Sequence, residues 1–294
     1  MKPKVIVIVG PTASGKTALS IELAKRINGE IVSCDSMQIY KDMNIGSAKP
    51  TLEEMQGIKH YMIDIVTPEE RFSVAEYKKG KTPIVIGGTG LYANSLIYGI
   101  EYNEIKLDEK YRKELENIAS SEQGLSELYE QAVKIDSQAM EIISPNDKKR
   151  IIRVLEIYHS TGKTKTELEI ESRKNGVKYD YKVFAINMDR DILYERINKR
   201  VDIMLENGLI EEVKNLLEKY KEFPTAMQGL GYKEVVQYFN KELTKEEMTQ
   251  KIKQETRRYA KRQLTWFRKN KETIWLNGLE DMQNNVNIIL EGIS

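Results

Sequence analysis

A single cysteine, Cys34, is all that this chain of 294 residues contains. That excludes an internal disulfide framework and any cysteine-rich zinc module. Neither sign of charge is in excess: 46 Lys and Arg stand against 45 Asp and Glu, so any nucleic-acid surface must come from local clustering. No apolar run approaches the roughly 18 residues of a membrane span. The first apolar strand begins almost at once, which predicts no signal peptide and a cytoplasmic protein. Internal repeats and low-complexity linkers are also lacking. What is present, 40% apolar residues over this length, suffices for a sizeable core and two domains.

The densest signal lies at the start. Ile6 to Val9 is a β-branched run, Gly10-Pro11-Thr12-Ala13-Ser14-Gly15-Lys16-Thr17 fits Gly-x-x-x-x-Gly-Lys-Thr, and Ala18 to Ile27 carries Leu19, Leu23 and Ile27 on one helical face. Strand, loop and helix thus follow in the order of a P-loop. Glycines turn backbone N–H groups inward, the helix presents its positive dipole end, and Lys16 adds a full charge, so the loop binds a polyphosphate. Thr17 offers a hydroxyl to a magnesium ion on that phosphate. The loop alone does not say which polyphosphate it holds, or whether phosphorus is attacked.

Further along, Glu30 to Cys34 reads as a short strand and puts Asp35 on the rim where α/β sheets bind ligands. Asp35 can be a helix cap, a magnesium-holding carboxylate or a catalytic group, and position alone does not separate these. His60 to Val66 and Thr82 to Ile86 are the next strands, the latter ending in Gly87-Gly88-Thr89-Gly90. If the strands are parallel, Thr89 shares the rim with the P-loop. Between them only Phe72 to about Lys79 is a helix candidate, and the 17 residues from Val66 to Ile84 make a short parallel crossover.

From Leu107 to about Leu168 the pattern is helical and highly charged, punctuated by Ser144-Pro145-Asn146-Asp147. Strand character returns at Tyr181 to Met188. Helices follow from Asp191, from Leu209 to Tyr220, at about 232–239 and from Lys245 to about Asn270, with a last strand at Thr273 to Leu276. The expected fold is α/β: a P-loop NTPase-like parallel sheet core flanked by helices, with a helical insertion domain and C-terminal helices. Domain limits fall at 1–106, 107–178 and 179–294. Two basic clusters stand out, Lys148 to Arg153 and a helix bearing Arg257, Arg258, Lys261, Arg262, Arg268 and Lys269 beside Trp266. Cations with neighbouring aromatics suit a phosphate backbone and unstacked bases, although a solvated face is the commoner meaning of either cluster.

Taken together, Gly10 to Thr17, Asp35-Ser36-Met37-Gln38-Ile39-Tyr40, Ile45 to Pro50, Gly87 to Tyr92, Asn146-Asp147 with Arg150 and Arg153, Arg200-Val201-Asp202, Gly229 to Tyr232 and Lys261 to Arg268 resemble the bacterial tRNA dimethylallyltransferases. Eight blocks in the right order over residues 4 to about 276 are a specific match. The resemblance implies transfer of dimethylallyl from dimethylallyl diphosphate to N6 of adenosine 37 in tRNAs that read codons beginning with U. Diphosphate is then a leaving group, and carbon rather than phosphorus is attacked. It further implies Asp35 as general base, Thr12 and Arg200 on the diphosphate together with Gly10 to Thr17, and Mg²⁺ held at Thr17. Residues implied to contact tRNA are Asp35, Ser36, Met37, Gln38, Thr89, Arg112, Lys149, Arg150, Arg153, Lys261, Arg262, Gln263, Trp266 and Arg268. A monomer acting on the tRNA anticodon arm is expected, with no membrane partner. Family members carry roughly a dozen more residues in the crossover near 72–83, so either this protein has a real deletion there or a segment is missing from the sequence as given, of which the second is favoured.

Two other readings compete. An adenylate dimethylallyltransferase shares the P-loop and the Asp-Ser pair, but would not need the helical insertion or the basic Trp266 helix. A P-loop kinase would turn over ATP and place an acid, for which Asp64 could be offered, beside a phosphate acceptor.

Overall fold

Strand β1 (Lys4–Val9) is apolar at every position but the first because both of its faces are covered. The computed structural model describes residues 2, 4–70, 84–100, 108–174, 176–177 and 179–293. After β1 come α1 (Lys16–Ile27), β2 (Ile31–Ser33), α2 (Leu52–Met55), β3 (His60–Tyr61), β4 (Ile84–Gly87) and α3 (Gly90–Ile97). A helical stretch follows: α4 (Glu109–Ile118), α5 (Glu122–Ile135), α6 (Ser137–Met140), α7 (Lys148–Thr161) and α8 (Lys165–Glu171). The chain then returns through β5 (Asp180–Asn187), α9 (Arg190–Glu206), α10 (Leu209–Lys219), α11 (Tyr232–Phe239), α12 (Lys245–Phe267), β6 (Ile274–Asn277) and α13 (Met282–Ile293).

The strands form one sheet in the order β3-β2-β4-β1-β5-β6, with each pairing parallel. Val7 sits between Val85 and Val183, so the P-loop strand is central and the loop leaves the C-terminal edge of the sheet. Ile6 and Ile8 pack with Leu19, Leu23, Ile197 and Ile289 on one face, whereas Val5, Val7 and Val9 pack with Tyr92, Ala93 and Phe267 on the other. Each fully buried aliphatic side chain contributes roughly 1.5–3 kcal/mol, so the double-sided burial makes β1 the anchor of this layer. A third cluster joins Ile39, Tyr40 and Met43 to Val201, Leu209, Val213, Tyr232 and Ile252, and so fixes the segment after β2.

Two compact units result, Met1–Ile97 with Lys178–Ser294, and Tyr98–Val177. The second has its own core of Leu115, Leu128, Ala132, Ile151, Ile152 and Leu155. Its helices begin at polar caps: Asp108, Ser121, Asp147 and Thr164 each accept a backbone N–H of the first turn.

Some expectations are corrected. The strand expected over 60–66 is only His60–Tyr61. Met62 and Asp64 then adopt φ of 62° and 55°, and the chain turns so that Asp64 and Ile65 N–H donate to Gln38 and Ile39 carbonyls. Backbone donors that a longer ladder would have used are satisfied there instead. The closing helix Met282–Ile293, for which the sequence raised no expectation, buries Val286 and Ile289 three residues apart. The expected helix at 72–79, the start of the fourth strand at Thr82 and the unusual length of that crossover lie outside the described residues.

Candidate active site

The P-loop folds as its glycines require. Gly15 caps α1 at φ 88°, a left-handed conformation that side chains resist, and this lets the helix start point its free N–H groups into the loop. Lys16 curls back, its Nζ donating to the Pro11 carbonyl at 2.7 Å. Inside the loop, Ser14 is 3% exposed and its hydroxyl has no protein partner. The loop opens on a cavity of about 510 Å³ whose wall includes Thr12, Lys16, Thr17, Asp35, Gln38, Arg200, Tyr259 and Arg262.

Asp35 reaches this cavity because the chain turns sharply after β2. Its Oδ1 accepts the Met37 N–H at 2.9 Å, and its own N–H donates to Ser33 Oγ at 3.3 Å. The next residue is tied across the rim, where Ser36 N–H donates to Thr89 Oγ1 at 3.1 Å. Gln38 accepts from Ser33 Oγ at 2.7 Å and donates to the Ala48 carbonyl at 3.2 Å, which joins the Asp35 turn to the loop 45–50. That loop is itself held by Glu212 of α10. Its carboxylate accepts the N–H groups of Asn44, Ile45 and Gly46 at 2.9, 2.7 and 3.1 Å and the Tyr232 hydroxyl at 2.8 Å.

Three charges meet in the cavity. Burial raises the pKa of Asp35 above the ordinary carboxylate value, against the opposing pull of the Met37 N–H, Lys16, the Gln38 N–H and Arg200. Lys16 is lowered to about 7, first by burial and then by Arg200, whose repulsion outweighs the attraction of Asp35. Arg200 is itself lowered by burial. Lys16 therefore sits in a net positive field within a poorly solvated pocket, and an anion entering beside it would be held by both cations and would restore the lysine's proton. Beside them Asp35 brings a carboxyl that takes a proton more readily than an ordinary carboxylate.

The remaining expected site residues divide between the two units. Thr89 lies on the rim against Ser36. Lys261, Arg262 and Trp266 are exposed on α12 and Arg268 just past its end, with Lys269 Nζ 5.4 Å from the Trp266 ring and the Arg262 guanidinium 5.7 Å from that of Tyr259. Gln263 differs from its neighbours: it is 4% exposed and both ends of its amide are bonded within the protein. In the helical unit, the almost fully buried Glu156 draws Arg112 to 3.3 Å and Arg153 to 4.0 Å, while Arg150 pairs with Asp147 at 3.3 Å and Lys149 is exposed. Sequence reasoning missed Tyr259 as a site residue and Glu212 altogether. For Tyr259 a signal existed, since 259, 263 and 266 are spaced i, i+4, i+7 and share one helix face.

A divalent cation could use Thr17, which lines the same cavity as Asp35. Among the described residues no group of three or more His, Cys, Asp or Glu is gathered for a metal. A donor set of hydroxyl, carboxylate and phosphate oxygens suits magnesium, which keeps its waters and takes few protein ligands.

The comparisons with known proteins agree with one another. A family model described as IPP transferase matches residues 38–270. The tRNA dimethylallyltransferase of Acetivibrio thermocellus is 52% identical over 93% of this chain and 91% of its own, and that of Caldanaerobacter subterraneus is 50% identical over 91% and 90%. The crystal structure of the tRNA isopentenylpyrophosphate transferase of Bacillus halodurans superposes with a TM-score of 0.71 at 41% identity, covering 99% of this chain and 97% of that one. A eukaryotic dimethylallyltransferase captured acting on tRNA gives a TM-score of 0.79 at 32% identity, with 99% and 78% covered. On sequence and fold alike, the chain belongs to the IPP transferase family.

Proposed function

We propose that this protein transfers the dimethylallyl group of dimethylallyl diphosphate to N6 of adenosine 37 in tRNAs that read codons beginning with U. One observation carries the chemistry: Asp35 opens into the same cavity as Lys16 and Arg200, so a proton acceptor and an anion site face one space.

The loop Gly10 to Thr17, with Lys16, Thr12 and Arg200, holds the diphosphate. Their fixed charge meets the negative charge that grows on the departing oxygen as the allylic C–O bond breaks, and in a poorly solvated pocket such preorganised charge lowers the barrier strongly. The N6 lone pair forms the new bond to carbon, and the proton that N6 must shed passes to Asp35. Bound at Thr17, Mg²⁺ would supply further charge neutralisation on the phosphate oxygens.

Adenosine 37 is stacked in the anticodon arm and must turn out to reach the pocket, at a cost of a few kcal/mol. Residues 35–38 and Thr89 receive the base. Arg112, Lys149, Arg150 and Arg153 on the helical unit, and Lys261, Arg262 and Trp266 on α12 with Arg268 just past its end, bind the RNA and offset that cost. Relatives named for this reaction at about 50% identity support the reading.

Two variants separate the roles. Asp35→Asn should slow single-turnover transfer by about 10²–10⁴-fold while tRNA affinity is kept. Lys261→Ala should weaken tRNA binding and reduce the slope of log K against log salt by about one. Equal loss of tRNA affinity in both variants would count against this division of labour.

A further inference from the structure

Gln263 sits near the C-terminal end of the helix whose outer face carries the cations assigned to RNA, yet it points the other way. Its Oε1 accepts the N–H of Thr12 at 2.9 Å, and its Nε2 donates to the Gly88 carbonyl at 2.9 Å. The first of these bonds acts on a particular peptide group. Thr12 N–H belongs to the Pro11–Thr12 peptide, and the carbonyl of that same planar unit, directed oppositely in the trans form, is the acceptor for Lys16 Nζ at 2.7 Å. Rotating this peptide would release Lys16. Gln263 is the side chain that holds the N–H of this peptide.

The second bond acts on the other half of the site. Gly88 precedes Thr89, whose hydroxyl receives the Ser36 N–H one residue past Asp35. The helix approaches this turn at a further point: a Cβ at Gly90 would stand 3.0 Å from the Trp266 ring. A Cβ at Gly88 would come within 2.2 Å of Gln263 Nε2. Gly88 has no positive φ, so what demands glycine there is the approach of the glutamine rather than the turn.

We propose that Gln263 is a positioning residue and not an RNA contact: it locks the Pro11–Thr12 peptide, and through it Lys16, in register with the Gly88–Thr89 turn that braces the Asp35 segment. The proposal rests on reading the cavity as a diphosphate site. It adds that the residue setting that site lies on the RNA-binding helix, 251 positions away from Thr12.

The test is the affinity for inorganic diphosphate by calorimetry, beside the affinity for tRNA, in the full chain. Gln263→Ala should bind diphosphate about tenfold more weakly, the effect of stranding buried hydrogen-bonding groups, with tRNA affinity changed less than about twofold. Gly88→Ala should imitate Gln263→Ala, because the new methyl displaces the amide, and should cost almost nothing when added to Gln263→Ala, where the space is vacated. A merely structural turn at Gly88 would give additive losses instead. Diphosphate affinity unchanged in Gln263→Ala, or tRNA affinity lost in its place, would overturn the proposal. Failure of the unmodified protein to bind diphosphate would remove the functional reading as well, which distinguishes the two failures.

Discussion

At the scale of single residues, the site is built from groups that the fold holds in unfavourable states. Asp35 has a folded pKa above its unfolded value, so ionising it works against folding; the penalty is absent below about 3.8 and grows as pH rises through the folded pKa. Lys16 is the mirror case. Its folded pKa of about 7 lies below the unfolded 10.5, so the penalty is full below about 7 and relieved as pH climbs toward 10.5. Thermal melts of the ligand-free protein should show both signs. Asp35→Asn should melt above the parent at pH 7, with the gap closing as the medium is acidified. Lys16→Met should melt above the parent most clearly at pH 6, with the gap closing toward pH 10. Parallel rather than opposed trends would mean that the cavity does not impose these charges. Of these residues, the Gly-Lys-Thr of the P-loop was legible from the sequence because spacing fixes its geometry. Asp35 could be placed on the rim but not given a role from its position alone, since cap, metal ligand and base all occupy such positions; the fold adds its burial in one cavity with Lys16 and Arg200.

At the scale of elements, struts position the cavity walls. The loop 44–50 has little secondary structure of its own, and its three leading N–H groups converge on one carboxylate, Glu212, from 166 to 168 residues away. Glu212→Gln turns an acceptor-only group into one that must aim an NH₂ at N–H donors or at the Tyr232 hydroxyl. Stranding even one of them costs about 1–3 kcal/mol. Hydrogen exchange should then speed at Asn44, Ile45 and Gly46 while amides of β1 stay protected, and unchanged protection at 44–46 would show that the loop is held by something else. No sequence pattern announced this contact, because one glutamate on an amphipathic helix looks like any solvated residue. The strand at 60–66 was misjudged for a related reason. Alternation of side chains is satisfied by any extended run, but Met62 and Asp64 turn left-handed so that the following N–H groups can pair with residues 38 and 39. Long amphipathic helices such as α12 were legible from their period; which polar residue on them faces inward, as Gln263 does, was not.

At the scale of the whole molecule, a parallel sheet with its P-loop strand in the centre brings residues from both ends of the first unit to one edge. Thr12, Asp35, Arg200 and Tyr259 thereby share a cavity. The alternation of strand and helix made the sheet and the helical unit readable, since each element covers an apolar face that would otherwise meet water. The near-neutral total charge said nothing in favour of RNA, and the basic side chains on α12 carry that reading only as a local cluster. Under the proposed function, an allylic diphosphate and a tRNA base meet in this cavity and the whole RNA is needed to bring the base there. This is tested most directly by incubating the protein with labelled dimethylallyl diphosphate and, separately, tRNA carrying adenine at position 37, the same tRNA carrying guanine there, and AMP. The account predicts label on the first acceptor alone; label on AMP, or no label on any acceptor together with turnover of ATP, would contradict it.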